Sequence, residues 1–217
     1  MKEIVIFGSG NHAKLIYNEI LNLKSYKFLG FIAPLKKKIT IDKKQINIYA
    51  SIKKIKNKKI HAIIGIGNNF IREKVFKDAC KLNSNIIWEK IISKKTYIGK
   101  NVKIGEGTFV AQGSNICSNS SIGKNCIINS ASSIDHDNIF DDFSSTGPGV
   151  VTGGNVEVGL MCHIGIGSIV NNNVNIKKYI IIGGNSYVNK SCKKKGLYFG
   201  SPIKFQKKIN RNFNYLK

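Results

Sequence analysis

The sequence contains no run of about 18 apolar residues, which excludes a membrane-spanning helix. Its N-terminus lacks the basic, apolar and small-residue pattern of a secretory leader, so a cytoplasmic protein without membrane insertion is expected. None of its five cysteines (Cys80, Cys117, Cys126, Cys162, Cys192) falls in a CxxC pair. A zinc cluster and a designed disulfide framework are thereby excluded, and reduced, mostly buried thiols are expected. There is no P-loop and no Ser/His/Asp nucleophile pattern.

Acidic side chains are scarce, 12 against 35 Lys and Arg, giving a formal charge of +23. Taken alone, that balance points to nucleic acid, so its distribution decides the matter. Residues 1–92 carry 19 basic and 6 acidic side chains, residues 93–192 carry 8 and 6, and residues 193–217 carry 8 and 0. The middle of the chain is nearly neutral. The short lysine runs, Lys36 to Lys38, Lys58 with Lys59, and Lys193 to Lys195, have no interleaved aromatics. No nucleic-acid partner is expected, while the positive background favours small anionic ligands such as nucleotide phosphates.

What the sequence has in abundance is a period of six. Every sixth residue from Ile98 to Val188 is aliphatic or nearly so: 13 of these 16 positions are Ile or Val, and the others are Phe140, Thr146 and Thr152. The next position is usually small or turn-forming, as at Gly99, Gly105, Ala111, Gly147 and Gly165. A hexapeptide period of this kind is the mark of a parallel β-helix, with about 18 residues per three-sided coil and an inward β-branched residue on each face. Sixteen hexads make a little over five coils, about 25 Å long at the spacing of paired strands.

Before the repeat, Lys2 to Phe7 reads as a strand that ends in Gly8-Ser9-Gly10-Asn11-His12-Ala13 and leads into a helix. Strand, glycine turn and helix offer backbone N–H groups to a phosphate. No acid follows the second strand, Phe28 to Ile32, where Ala33-Pro34 stands instead, so NAD is disfavoured. A third strand, His61 to Ile66, runs into Gly67-Asn68-Asn69 and a second helix, and residues 85–87 add a further strand. The expected architecture is an α/β domain, a small Rossmann-like βαβαβ parallel sheet over residues 1–92, with its two Gly-rich loops at one sheet edge. It is followed by the β-helix at 93–192 and a capping tail at 193–217. Ile48 and the stretch Lys53 to Lys59 read as a connecting loop.

One hexad departs from the pattern. Ser133-Ile134-Asp135-His136-Asp137-Asn138 sets a histidine between two carboxylates, and Asp141 and Asp142 follow, so four of the six acids of the repeat fall within eight residues. A general base needs a neutral imidazole held in one tautomer, and an adjacent carboxylate supplies the hold. His163 has no acid beside it in sequence and reads as non-catalytic. His61 opens a strand and reads as structural, and His12 is placed to contact a sugar or phosphate. No set of three converging histidines exists for a metal.

Several segments together resemble the bacterial nucleotide-amino-sugar N-acetyltransferases of the left-handed β-helix class, with sialic acid O-acetyltransferases as close relatives. They are Gly8-Ser9-Gly10-Asn11-His12-Ala13-Lys14, Gly65-Ile66-Gly67-Asn68-Asn69 with Ile71-Arg72, Ile134-Asp135-His136-Asp137, Pro148-Gly149, Gly153-Gly154-Asn155-Val156 and Gly200-Ser201-Pro202. The resemblance implies a homotrimer that binds acetyl-CoA between adjacent left-handed β-helices, uses no metal, and acetylates the 4-amino group of a UDP-, dTDP- or GDP-linked deoxysugar for surface glycan synthesis. It implies His136 as the base with Asp137 orienting it. Gly8, Ser9, Gly10, Asn11, His12, Asn68 and Asn69 are implied on the nucleotide sugar, and Ser145, Gly154, Gly165, Gly200, Pro202 and Lys204 on acetyl-CoA. The chain departs from the family at Ser145, where many members carry a second histidine, and at Ala33-Pro34, where they carry acids. The alternatives are O-acetylation of sialic acid or a related sugar, and a non-catalytic β-helix scaffold.

Overall fold

The structure is a computed structural model that describes residues 1–34, 38–54 and 59–216; part of the expected loop and of the first two lysine runs lies outside these. The N-terminal domain is built from β1 (Lys2–Phe7), α1 (Asn11–Leu23), β2 (Tyr26–Ile32), β3 (Lys38–Ile41), β4 (Lys44–Tyr49), β5 (Ile60–Ile64), α2 (Asn69–Leu82) and β6 (Ile86–Trp88). Sheet order is β3-β4-β2-β1-β5-β6, parallel apart from the β3–β4 hairpin. The expected sheet is therefore present with one addition. Ile48 is no loop residue: it is buried in β4 and pairs in parallel with Phe31 of β2. The hairpin turns at Asp42 and Lys43, both with positive φ.

From Ile91 to Phe199 the chain winds as a left-handed parallel β-helix of about six coils, its three faces holding seven, six and five strands, with the antiparallel strand Lys204–Lys207 added to the end of the first. The register steps by 18 residues, as in Ile91↔Phe109↔Ile127 on the first face, Tyr97↔Asn115↔Ser133 on the second and Lys103↔Ser121↔Ile139 on the third. The inward Ile and Val residues of the hexads form one buried column. The repeat begins earlier than the expected boundary after residue 92, since Ile91–Ile92 is already the first rung, and it runs past 192, since Gly196–Phe199 pairs in parallel with Ile180–Ile182.

Two further regularities hold the coils. From Asn101 to Asn185 every sixth residue has positive φ, which favours Asn and Gly at that corner. In the inward small position of the hexad, hydroxyls and thiols donate to the carbonyl 15 residues on: Ser114 to Asn129, Ser120 to Asp135, Cys126 to Asp141, Cys162 to Lys177. All five cysteines are free, and burial pushes the Cys126 thiol up to about 11 and Cys162 up to about 12.

The N-terminal domain covers the first face along its side. The reason is in the outward positions of that face, which are apolar: Ile91, Phe109 and Ile127 are buried against Ala13, Ile16 and Ile20 of α1. The tail closes the far end through Ile203 and then returns along the same face. Ile209, Phe213 and Tyr215 pack with Phe70 and Phe76 of α2 and with Phe143 and Met161 of the β-helix.

Candidate active site

His136 lies at the corner between the second and third faces, just after the Ser133–Ile134 rung. Its Nδ1 is 2.7 Å from Asp137 Oδ2, and the ring is exposed. The hydrogen bond to Asp137 raises the imidazole pKa, with the Asp135 charge contributing, while the bond to His136 lowers that of Asp137. One coil further on, Gly154 floors the site. A Cβ there would meet His136 Cε1 at 2.5 Å and Nε2 at 2.7 Å, so the ring rests directly on the glycine backbone.

The corner is pinned from within. Asn138, fully buried, donates from Nδ2 to the carbonyls of Asp135 (2.8 Å), His136 (3.1 Å) and Gly153 (2.9 Å). Ser120 Oγ donates to Asp135 O, and the Asp135 amide donates to Thr152 Oγ1. Asn138 was not picked out from the sequence. Its signal was an amide where neighbouring hexads have Ser, Thr, Cys or Val.

The two Gly-rich loops stand side by side at the carboxyl ends of β1 and β5: a Cβ on Gly8 would lie 2.9 Å from Ile66 Cγ1. Gly8 has φ +100, and Gly10 caps α1 with no side-chain hydrogen bond, so Ser9, Gly10 and exposed Asn11 leave the helix N-terminus open to an anion. The remaining expected sugar contacts are engaged elsewhere. His12 stacks edge-on against Phe109 at 5.5 Å, and burial lowers its pKa to about 4; its Nε2 is buried without a protein partner. Asn68 caps α2, accepting from the Phe70 and Ile71 amides.

Asn69 is fully buried and belongs to a network that joins the N-terminal domain, the β-helix and the tail. Its Nδ2 donates to the carbonyls of Met161 and Cys162, and its amide donates to Tyr215 Oη at 2.7 Å. Arg72, buried and facing no carboxylate among the described residues, donates to Asn125 O, Ile66 O, Gly67 O, Phe143 O and Asn69 Oδ1. Ser145, expected on acetyl-CoA, is buried here and bonded to Asn69 and His163. These side chains have no face left for a large ligand, because each bridges two structural elements.

The remaining residues assigned to acetyl-CoA divide between two corners. Gly154 shares the corner of His136. Gly165 stands at the corner between the first and second faces, above Gly147 and below Gly183. Gly200, Pro202 and Lys204 form the exposed turn that follows the last rung, tied to the second face through Tyr187. A cavity of about 590 Å³ opens at the Gly165 corner, bordered by His163, Ile166, Phe199 and Tyr215. Another cavity, about 730 Å³, lies over the third face between Ile139 and Lys195 and includes neither His136 nor the N-terminal loops. His61 bonds Glu89 at 2.6 Å, as befits a structural residue. Among the described residues no three His, Cys, Asp or Glu side chains converge as a metal site, and no helix is long and apolar enough to cross a membrane.

Residues 3–79 match the family model described as PglD N-terminal domain. The whole chain is similar in structure to the acetyltransferase domain of PglB from Neisseria gonorrhoeae FA1090, at 19% identity and a TM-score of 0.87 over 95% of this chain and 100% of that one. That domain has also been solved with acetyl coenzyme A. PerB from Caulobacter crescentus, solved with CoA and GDP-perosamine, is similar at 23% identity and a TM-score of 0.86 over 95% and 98%. WeeI from Acinetobacter baumannii AYE is similar at 20% identity and a TM-score of 0.75 over 95% and 100%. The N-terminal domain is thus similar to the PglD N-terminal domain, and the chain as a whole has the hexapeptide-repeat, left-handed β-helix fold of these proteins.

Proposed function

We propose that the protein is an acetyl-CoA-dependent N-acetyltransferase acting on the 4-amino group of a nucleotide-linked deoxysugar. The observation that carries this reading is the His136–Asp137 pair on a glycine floor at an open corner. Asp137 on Nδ1 leaves Nε2 as the proton acceptor. As the sugar amine attacks the thioester carbonyl, Nε2 takes the proton released by the nitrogen, and the carbon–sulfur bond breaks to give the amide and CoA. The open N-terminus of α1 in the N-terminal domain is suited to the nucleotide diphosphate.

Within one chain the base corner and the Gly165 corner stand at opposite edges of the second face. Between them runs an exposed apolar column, Val151 (42% exposed), Ile169 (51%) and Tyr187 (38%), with Tyr97 (59%) lower down. Exposed stripes of this sort mark contact with another chain. Packing around a threefold axis covers such faces and brings one copy's His136 corner to the next copy's glycine corner, so the active form is a homotrimer with donor sites between copies.

The test is thiol release from acetyl-CoA with UDP-, dTDP- and GDP-linked 4-amino-4,6-dideoxysugars and with free sialic acid. Turnover with a nucleotide sugar is expected, and His136→Ala should cut it at least about 100-fold. Turnover with sialic acid alone overturns the N-acetyl reading in favour of O-acetylation. Silence with every acceptor, although acetyl-CoA binds, removes this substrate class.

A further inference from the structure

The hydrogen bonds around His163 fix which of its nitrogens carries the proton. Asn69 Nδ2 donates to two carbonyls, and Asn69 Oδ1 accepts from Arg72 Nη2 at 2.6 Å, so the orientation of that amide is set. Ser145 Oγ is 2.8 Å from the same Oδ1, an atom that can only accept, and its hydroxyl proton is therefore committed to Asn69. The Ser145 oxygen, 2.8 Å from His163 Nδ1, can then only accept from it. Nδ1 carries the proton and Nε2 is left as a bare acceptor. Burial lowers the His163 pKa to about 3, with the Arg72 charge adding to the effect, so the ring is neutral under ordinary conditions.

Nε2 has no protein donor among the described residues, and His163 borders the cavity at the Gly165 corner. Most of the cavity lining is glycine, as at Gly147, Gly165 and Gly183, or apolar, as at Ile166 and Phe199, with Asn129 and Tyr215 as the polar side chains beside His163. Such a channel fits a narrow aliphatic chain. The acceptor nitrogen calls for an N–H on that chain, and the nearby buried Arg72 charge disfavours a cationic one.

We propose that His163 Nε2 accepts a hydrogen bond from a secondary amide of the pantetheine arm of CoA, making His163 a donor-binding residue. In this chain an imidazole one rung above Ser145 serves the acyl donor, held in its tautomer by Ser145 and Asn69. The inference rests on the acetyl-CoA reading given above.

The test is a long-range ¹H–¹⁵N spectrum of the four histidines with and without CoA, His163 being assigned by its loss in His163→Leu. The expected result is a protonated Nδ1 and a pyridine-like Nε2, unchanged from about pH 5 to 8, with Nε2 shifting upfield when CoA is added. His163→Leu should weaken CoA about tenfold, as expected for one lost hydrogen bond. It should leave adenosine 3′,5′-bisphosphate, which lacks the arm, unaffected, and His163→Gln should recover most of the loss. CoA binding to the native protein with Nε2 unmoved and no loss in the Leu variant overturns this assignment alone. Failure of CoA to bind the native protein overturns it together with the proposed function.

Discussion

Replacing Gly154 by alanine separates stability from positioning at the base. The new Cβ would come within 2.5 Å of His136 Cε1, about 1 Å inside ordinary carbon–carbon contact. The ring must retreat by that amount. It is exposed and has room, so folding should change by less than about 0.5 kcal/mol, in the range of surface substitutions. A misplacement of about 1 Å can cost on the order of 100-fold in rate, and the displaced ring also loses the alignment of its Nδ1 with Asp137. The expected outcome is a melting temperature within a degree or two of the native protein and a kcat lower by about 30- to 100-fold, measured by thiol release with the acceptor identified as above. A Gly154→Ala enzyme with kcat within twofold of native would refute the placement of His136 as the reacting base.

Further outcomes follow from the same geometry. Asp137 raises the His136 pKa, and a base works only when neutral, so native activity should climb as pH rises through that raised value; Asp137→Asn should move the limb to lower pH and lower the plateau, as a pH–rate profile would show. Asn138→Ala frees three carbonyls at the corner and should reduce kcat about tenfold, with a stability loss of about 2 kcal/mol by urea unfolding. Arg72→Met takes the side-chain donor from four backbone carbonyls, those of Asn125, Ile66, Gly67 and Phe143, and should cost about 3–5 kcal/mol, read as early melting of the N-terminal domain. His163, with a pKa of about 3 when folded against about 6.5 unfolded, binds its proton only in the unfolded chain between those values. Native stability should thus be full above about pH 6.5 and fall by about 2 kcal/mol between pH 7 and 5, a contribution absent from the acid limb of a His163→Leu melting curve.

Much of the β-helix was legible because its period acts on every coil at once: one inward residue in six fixes the face, the register and the next corner. The same counting carried more than was taken from it. Ile92 is one step of six before Ile98, and Ile91, Phe109 and Ile127 are outward residues 18 apart; read together they mark the first rung and the face that the N-terminal domain covers. Ser145 and His163 are likewise 18 apart in the outward position, so their contact was implicit in the repeat. Asn69, Arg72 and Tyr215 were not recoverable in this way. Asn68 and Asn69 look like ligand contacts in any Gly-rich loop, and only the docking of α2 onto the first face turns Asn69 inward. The β3–β4 hairpin was hidden by its Lys, Gln and Asn residues, which suit an exposed edge strand as well as a loop.

A solenoid is close to one-dimensional: each coil touches only its neighbours, so its ends are free to fray. The returning tail changes that here. The hydrogen bond from the Asn69 amide to Tyr215 Oη spans 146 residues and fastens the last segment to the first domain across the flank of the stack, so that the linear array becomes a closed ring of contacts. During synthesis the N-terminal domain and each coil can form as they emerge, but the seam between them cannot be locked until Tyr215 has left the ribosome. The locking of that seam is therefore assigned to the segment around Tyr215 and not to the β-helix that dominates the mass of the chain.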